Sequence, residues 1–479
     1  MKRLTKKQMI IFAIGQLGWS TLSGIINAML VTFYLPSQEN IDLGATQFIK
    51  PGLIVLGVLT VLGLITAASR IFDAVTDPLI ANLSDRCKSK RGRRMPFMQI
   101  AAIPLSVVTV LLFWAPVNGI SSKNVVWVSA FIILFYLFMT MYCTPYNALI
   151  SEFGKTQDDR MFISTAISLT FFAGTLLAYS PMVVAGFLQG SFTFNMSYRI
   201  CFIVLAVIAC VCMLLPTFLL RERDFVETKP SGVNMFRALG STFKNREFRV
   251  FVGSDIMYWI GLTLFQTGLP FFVQTSMKLD ISMTMYFMGG MTVLSACFYP
   301  IVSGLTKKFG KKKLTVCGFL GLALAYLITA LINVDILPGA VFGVAICVIA
   351  AFPMALLGII PQAIVADVAE ADGRESGENK EGMFFAARTF AMKWGQSIAM
   401  LVFTSLAIIG TTQKVDANDI TASPLGLRLV AVVAIAFCLL GALLLTLYNE
   451  KKVMRTLAKE PIGEPAPTEP PAAAPEEDA

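Results

Sequence analysis

The sequence predicts an all-α membrane protein of twelve transmembrane helices, and three observations carry that reading. Only 14% of the 479 residues are charged while 56% are hydrophobic, with a mean hydropathy of +0.71; a soluble chain carries about a quarter charged residues. Segments 8–38, 97–116, 124–151, 161–198, 256–277, 281–306, 314–334, 336–366 and 394–413 contain no Asp, Glu, Lys or Arg. Each reaches the roughly 20 residues that carry a helix across about 30 Å of hydrocarbon. The apolar runs are unbroken, not alternating, and this excludes a β-barrel, the other structure that satisfies its backbone in lipid.

In chain order the spans fall near 9–35, 51–82, 97–116, 124–147, 161–186, 200–220, 249–276, 282–304, 314–333, 339–366, 383–410 and 425–448. Lys2, Arg3, Lys6 and Lys7 precede an apolar run too long for a signal-peptide core, so the first segment reads as a span. Alternating the sides places thirty Lys and Arg on the face of the termini and six on the other. The positive-inside rule then makes both termini cytoplasmic. The net charge of +9 is therefore a topology signal with some attraction to anionic lipid, not a nucleic-acid footprint. Residues 221–248 form a central cytoplasmic loop between a bundle at 1–220 and a second at 249–450. Within that loop Asn234–Glu247 reads as an amphipathic surface helix, and 451–479, ending in a Pro-, Ala- and Glu-rich stretch, reads as a disordered cytoplasmic tail. A glycine turn flanked by cations recurs after spans 2 and 8, at Arg91-Gly92-Arg93-Arg94 and Lys307-Lys308-Phe309-Gly310-Lys311-Lys312, as duplicated bundles would give.

The absence of histidine removes imidazole metal sites and His-based catalysis. No HExxH, GxSxG or P-loop pattern is present, which argues against an enzyme or an ATP-driven pump. The nine cysteines lie almost entirely inside spans, where no disulfide is expected.

Ionisable residues inside spans cost roughly 2.5–3.5 kcal/mol each at mid-membrane, so they point to function. In span 2, Arg70, Asp73 and Asp77 follow i, i+3, i+7 spacing and share one helix face. The two acids are one turn apart, with Cβ atoms about 5–6 Å from each other. Such a pair resists double ionisation, and a proton or small cation relieves the repulsion. Lys393 in span 11 lies at a comparable depth, across a cavity from the pair or in a static salt bridge with it. Asp255 in span 7 is a second site candidate or an interfacial carboxylate. Arg388 either contacts the solute or snorkels to the cytoplasmic surface. Asn27 and Gln266 are read as bonded to neighbouring helices.

Arg70-x-x-Asp73-x-x-x-Asp77-Pro78, followed by Asp85-Arg86 and Gly92-Arg93-Arg94-Met95-Pro96, resembles the glycoside–pentoside–hexuronide:cation symporter family, typified by melibiose carriers. Thr144-Pro145-Tyr146, Ala366-Asp367 and Lys393-Trp394-Gly395 extend the match over most of residues 10–450. The resemblance implies a major-facilitator fold of two six-helix bundles in the plasma (inner) membrane, working by alternating access. It implies solute symport driven by Na⁺, Li⁺ or H⁺, with no other cofactor, and the chain is read as a monomer. By the same resemblance Asp73 and Asp77 bind the cation with Thr140, Lys393 links the cation and sugar sites, and Thr389 lies beside the sugar. The sugar site departs from the melibiose pattern. Ser20 stands where helix 1 carries an aspartate, Cys143 and Asn147 replace a helix-4 aspartate and tryptophan, and Ser168 replaces a helix-5 arginine. Ser20, Asn147, Arg70, Asp255 and Arg388 complete the candidate solute-binding and coupling set. The solute is expected to be a sugar or glycoside other than a galactoside; a lysolipid-like solute, uniport and proton-driven export are the alternatives.

Overall fold

A computed structural model describes residues 3–50, 60–85, 87, 89, 91–154, 157–225, 240, 242–332, 334–376, 381–410 and 422–458. Regular structure among them is helical throughout. The first half contains α1 (Lys6–Tyr34), the short α2 (Gln38–Asp42), α3 (Val61–Asp85), α4 (Met95–Leu112), α5 (Ser122–Phe153), α6 (Gln157–Tyr179), the short α7 (Pro181–Leu188) and α8 (Phe194–Leu219). The second contains α9 (Arg246–Phe271), α10 (Met283–Phe309), α11 (Lys311–Ala330), α12 (Gly339–Ser376), α13 (Glu381–Leu406) and α14 (Pro424–Thr446), followed by α15 (Glu450–Ala458).

Among the described residues, ten segments are long and apolar enough to span a membrane, with α6 and α7 together forming one of them. The two further helices of spanning length are α3 and α13, 25 and 26 residues long. These carry Arg70, Asp73 and Asp77, and Arg388 and Lys393, which lower their hydropathy. Helix α3 is covered by α5 and α13, and this is how charged helices are housed in lipid.

The halves repeat one packing scheme. In the first, α1 packs on α6 and α8, α4 on α5 and α8, and α3 on α5. In the second, α9 packs on α13 and α14, α11 on α12 and α14, and α10 on α12. The glycine echo in the sequence belongs to a duplicated cap. Glu222, just after α8, accepts backbone N–H groups of Arg94 (2.8 Å) and Met95 (3.0 Å) at the start of α4. Glu450, just after α14, accepts those of Lys311 (2.7 Å) and Lys312 (3.2 Å) at the start of α11. Each carboxylate thus satisfies orphan donors at the positive end of a helix dipole. Gly92 and Gly310 take φ of +126° and +83°, and a Cβ there would lie 2.3 and 3.0 Å from the capping carboxylate. Glu152 at the end of α5 pairs with Arg93 (2.8 Å) and Arg94 (2.5 Å), and Asp367 in α12 pairs with Lys311 (2.5 Å). Burial pushes the Glu152 carboxyl above the usual carboxylate range, against the pull of Arg94 and Arg93.

One expectation for the chain's end is corrected. Residues 450–458 form α15, not a disordered tail, because the segment finds a partner: Val453 is buried and Arg374 of α12 donates to the Leu457 carbonyl (2.6 Å). Residues 459–479 and half of the expected surface helix at Asn234–Glu247 (234–239 and 241) lie outside the described residues, while Arg246 and Glu247 fall in the first turn of α9.

The halves meet along α3–α13, α1–α9 and α6–α10. At the face opposite the chain termini, Ser37 donates to Gln274 (3.0 Å). Asn40 and Gln274 exchange side-chain hydrogen bonds (3.2 and 2.8 Å). Gln274 sits in a π-helical turn, Phe272–Ser276, that continues α9. Nearby, α3 and α13 approach so closely that a Cβ on Gly63 would lie 2.1 Å from Thr404 Oγ1. At the terminal face, the duplicated caps and their ion pairs each stay within one half.

Candidate functional site

Midway along the α3–α13 seam, the structure brings Asp73, Asp77, Thr140 and Lys393 together. Helices α3 and α5 run parallel in a fixed register, so positions 67 apart in sequence face each other. Thr140 Oγ1 donates to Asp73 Oδ1 (2.5 Å), and Thr144 Oγ1, one turn further on, donates to Asp77 Oδ1 (3.0 Å). The second oxygens of both acids converge on Lys393 of the other half, with Nζ 2.8 Å from Asp73 Oδ2 and 2.6 Å from Asp77 Oδ2. The ammonium therefore occupies the position a small monovalent cation would take between two carboxylates. Asp73 is the deeper of the two, its side chain 5% exposed against 23% for Asp77.

Two carboxylates one turn apart repel by about 3 kcal/mol at an effective dielectric near 20. The cluster is stable only with a positive charge seated between them. Any ion that takes the seat must displace the lysine.

Arg70 lies one turn from Asp73, away from the terminal face, and does not join that ion pair. Its Nη1 donates to Gln396 of α13 (2.6 Å) and its Nη2 to Asn27 of α1 (2.6 Å), while the guanidinium lies 4.9 Å from the Tyr136 ring centroid. Asn27 thus bonds to a neighbouring helix, as its sequence position suggested. Gln396 has no counterpart in the sequence reading, and Thr144 enters it only within Thr144-Pro145-Tyr146, with no role assigned. Gln396 is one turn beyond Lys393, and Thr144 repeats Thr140 at i+4, the only signals that could have found them.

The other candidates fall elsewhere. Thr389 and Asn147 are exposed, each one helical turn toward the terminal face from Lys393 and Thr144 respectively. Ser20 does not face an opening. It is 2% exposed, bonds to the Leu17 carbonyl (3.2 Å) and packs against Gly174, where a Cβ would lie 2.0 Å from its hydroxyl. A side chain at position 20 is thereby committed to the α1–α6 seam. Arg388 does not snorkel: it makes a bidentate pair with Asp255 (2.8 and 3.0 Å), both residues being buried. Asp255 is likewise not an interfacial carboxylate; the pair joins α9 to α13 within the second half.

The family model described as MFS/sugar transport protein matches residues 11–450. The chain is 27% identical over 396 residues to YjmB of Bacillus subtilis (strain 168), described as an uncharacterized symporter, covering 77% of this chain and 80% of that one. It is 25% identical over 371 residues to YagG of Escherichia coli (strain K12), named provisionally as a glycoside/cation symporter, covering 74% and 77%. Among solved structures, a D323A mutant of the nucleoside transporter NupG superposes with a TM-score of 0.65 at 14% identity, covering 93% of this chain and 100% of that one.

Proposed function

Because the chain belongs to the MFS/sugar transport protein family, we propose that it is a cation-coupled symporter of a sugar or glycoside, working by alternating access. It is a multi-pass membrane transporter and not an enzyme; the coupling ion and the solute class are the proposal. One observation carries it: Lys393 of one half bridges Asp73 and Asp77 of the other at the seam between them.

That arrangement supports a physical rule for coupling. The halves reorient with the acid pair compensated, either by Lys393 in the empty carrier or by Na⁺, Li⁺ or H⁺ in the loaded one. A cation in the seat frees the ammonium for the solute, and Thr140 and Thr144 turn hydroxyl oxygens toward the ion. An uncompensated pair carries the repulsion of about 3 kcal/mol and lacks both partners. Solute and cation therefore favour each other's binding by the same factor. We place the terminal face in the cytoplasm, so that the Asn40–Gln274 bonds lie on the outer side of the acid pair.

The test is uptake of radiolabelled methyl glycosides into right-side-out membrane vesicles under an imposed Na⁺ or proton gradient. Accumulation that follows one gradient and is abolished in Asp73→Asn is the expected result. Gradient-driven accumulation that survives in both Asp73→Asn and Asp77→Asn would overturn it.

A further inference from the structure

The basic surplus of the terminal face is shared by both halves, but one patch on it belongs to the second half alone. Residues 307–313 join α10 to α11, and residues 447–458 run from the end of α14 through α15. Together these two segments hold eight Lys and Arg against a single carboxylate, Glu450. That carboxylate is turned onto the Lys311 and Lys312 N–H groups, which fastens the segments into one surface. Lys311 is also paired with Asp367, and the Lys312 ammonium donates to the Thr446 (2.6 Å) and Tyr448 (2.8 Å) carbonyls at the end of α14. The other six cations, Lys307, Lys308, Lys313, Lys451, Lys452 and Arg455, are exposed. Among the described residues, none of the six has a carboxylate within ion-pair distance. At the equivalent place after α8, the first half carries Arg221, Glu222, Arg223 and Asp224, whose charges cancel.

An apolar ridge leads up to this patch. Leu439 and Leu443 of α14 and Leu447 just beyond it recur four residues apart, and all three are exposed. Phe309 and Met454 are exposed among the cations themselves, with Lys308 Nζ 5.4 Å from the Phe309 ring centroid. Helix α15 is fixed by its other side, where Val453 is buried and Arg374 holds the Leu457 carbonyl. Lys451 and Arg455 stand one turn apart on its exposed side. Uncompensated cations at a membrane surface attract anionic headgroups, and a basic amphipathic helix at that level strengthens the attraction. A free anion would use the cations but not the ridge, and so would a soluble acidic chain. An amphiphile with an anionic head uses both.

We infer that the α10–α11 and α14–α15 turns form a binding site for the phosphate head of an anionic phospholipid. Its acyl chain lies along Leu447, Leu443 and Leu439. The site is independent of the symport reading and lies wholly within the second half.

The experiment uses the purified full chain in dodecyl maltoside, with dioleoyl phosphatidylglycerol and dioleoyl phosphatidylcholine as probes. Retained lipid is counted by native mass spectrometry. The wild type should hold phosphatidylglycerol about 10-fold more tightly than phosphatidylcholine, and added NaCl should weaken that preference. Lys307→Gln, Lys308→Gln, Lys451→Gln and Arg455→Gln together should abolish it. Lys6→Gln, Lys7→Gln, Arg221→Gln and Arg223→Gln, which remove four exposed cations from the first half, should change it by less than 3-fold. An unchanged detergent melting temperature shows that both variants fold. Lys451→Gln with Arg455→Gln alone, on the exposed side of α15, should give an intermediate loss, and Lys307→Arg with Lys308→Arg should give none. Equal retention of the two lipids, a preference that survives in the second-half variant, or equal losses in both four-residue variants would each overturn the assignment. So would displacement of the lipid by inorganic phosphate, which marks a site for free anions, or by poly-L-glutamate, which marks a surface for an acidic protein.

Discussion

Replacing one member of the acid pair should weaken cation binding before any solute is present. Taking one charge from a buried ion-pair cluster costs about 3–5 kcal/mol. At 1.4 kcal/mol per decade, that is a fall in cation affinity of roughly 100- to 4,000-fold. Asp73→Asn should sit at the upper end and Asp77→Asn at the lower, since their side chains are 5% and 23% exposed and solvent screens the second more. Thr140→Ala removes a hydrogen bond to a charged group, worth about 1.5–3 kcal/mol, and so costs roughly 10- to 100-fold. Thr144→Ala should cost less, because its bond is longer (3.0 against 2.5 Å) and its acid is wetter. The measurement is titration calorimetry of the purified full chain with NaCl and LiCl, using choline chloride as the blank. For a proton-coupled carrier the same order is read from solute-induced alkalinisation of a weakly buffered suspension. Wild-type affinity in either Asn variant, or a larger loss in the threonine variants than in the aspartate ones, would refute the seat.

Other perturbations test the frame around it. Gly63→Ala places a methyl group 2.1 Å from Thr404 Oγ1 across the halves. It should depopulate this conformation and slow maleimide labelling of Thr389→Cys from the terminal face at least 5-fold, with Thr404→Ala restoring the rate. Gln274→Leu strands the amide of Asn40 and should shift the same labelling in the same direction; unchanged labelling would remove the latch. Arg388→Leu leaves Asp255 buried without its partner and should destabilise the chain by about 3–5 kcal/mol, seen as a lower detergent melting temperature that Asp255→Asn partly restores. Glu450→Ala uncaps two N–H groups of α11, and loss of the cap should cost about 1–3 kcal/mol on the same measure.

What the sequence makes legible follows from contrast. Asp73, Asp77 and Lys393 stand out because a charge in an apolar run has few explanations, and helical spacing alone puts both acids on one face. Uncharged polar residues lack that contrast: a span holds many hydroxyls and amides, and which of them meet an acid depends on helix register. The 67-residue offset of α3 and α5 decides that Thr144 backs Asp77, and the α3–α13 seam decides that Gln396 holds Arg70. Ser20 shows the converse error, since matching a family position gives its depth but not that α6 closes over it through Gly174. Arg388 is shallow enough by residue count to snorkel, yet Asp255 lies 133 positions earlier in the chain and captures it. The caps at Glu222 and Glu450 were hidden for the same reason: each acts on a helix start more than 120 positions away.

Two of the contacts that join the halves, the Asn40–Gln274 cluster and the Lys393 ion pairs, differ in kind and are similar in magnitude. The outer latch is three neutral hydrogen bonds, about 0.5–1.5 kcal/mol each in net terms, or roughly 2–4 kcal/mol together. The inner one is an ammonium shared by two carboxylates, and breaking such a buried pair costs about 3–5 kcal/mol. Had the latch been ionic, seating a cation at the acid pair would be too small a change to open it. Had it been absent, the outer face would open whatever the seat held. On the proposed mechanism, a cation that displaces Lys393 acts on the ionic contact and leaves the neutral latch unchanged. A shift of about 3 kcal/mol in that term changes the ratio of the two conformations by roughly 10²-fold. The latch residues should therefore set how readily the carrier opens outward, and the acid pair should decide when.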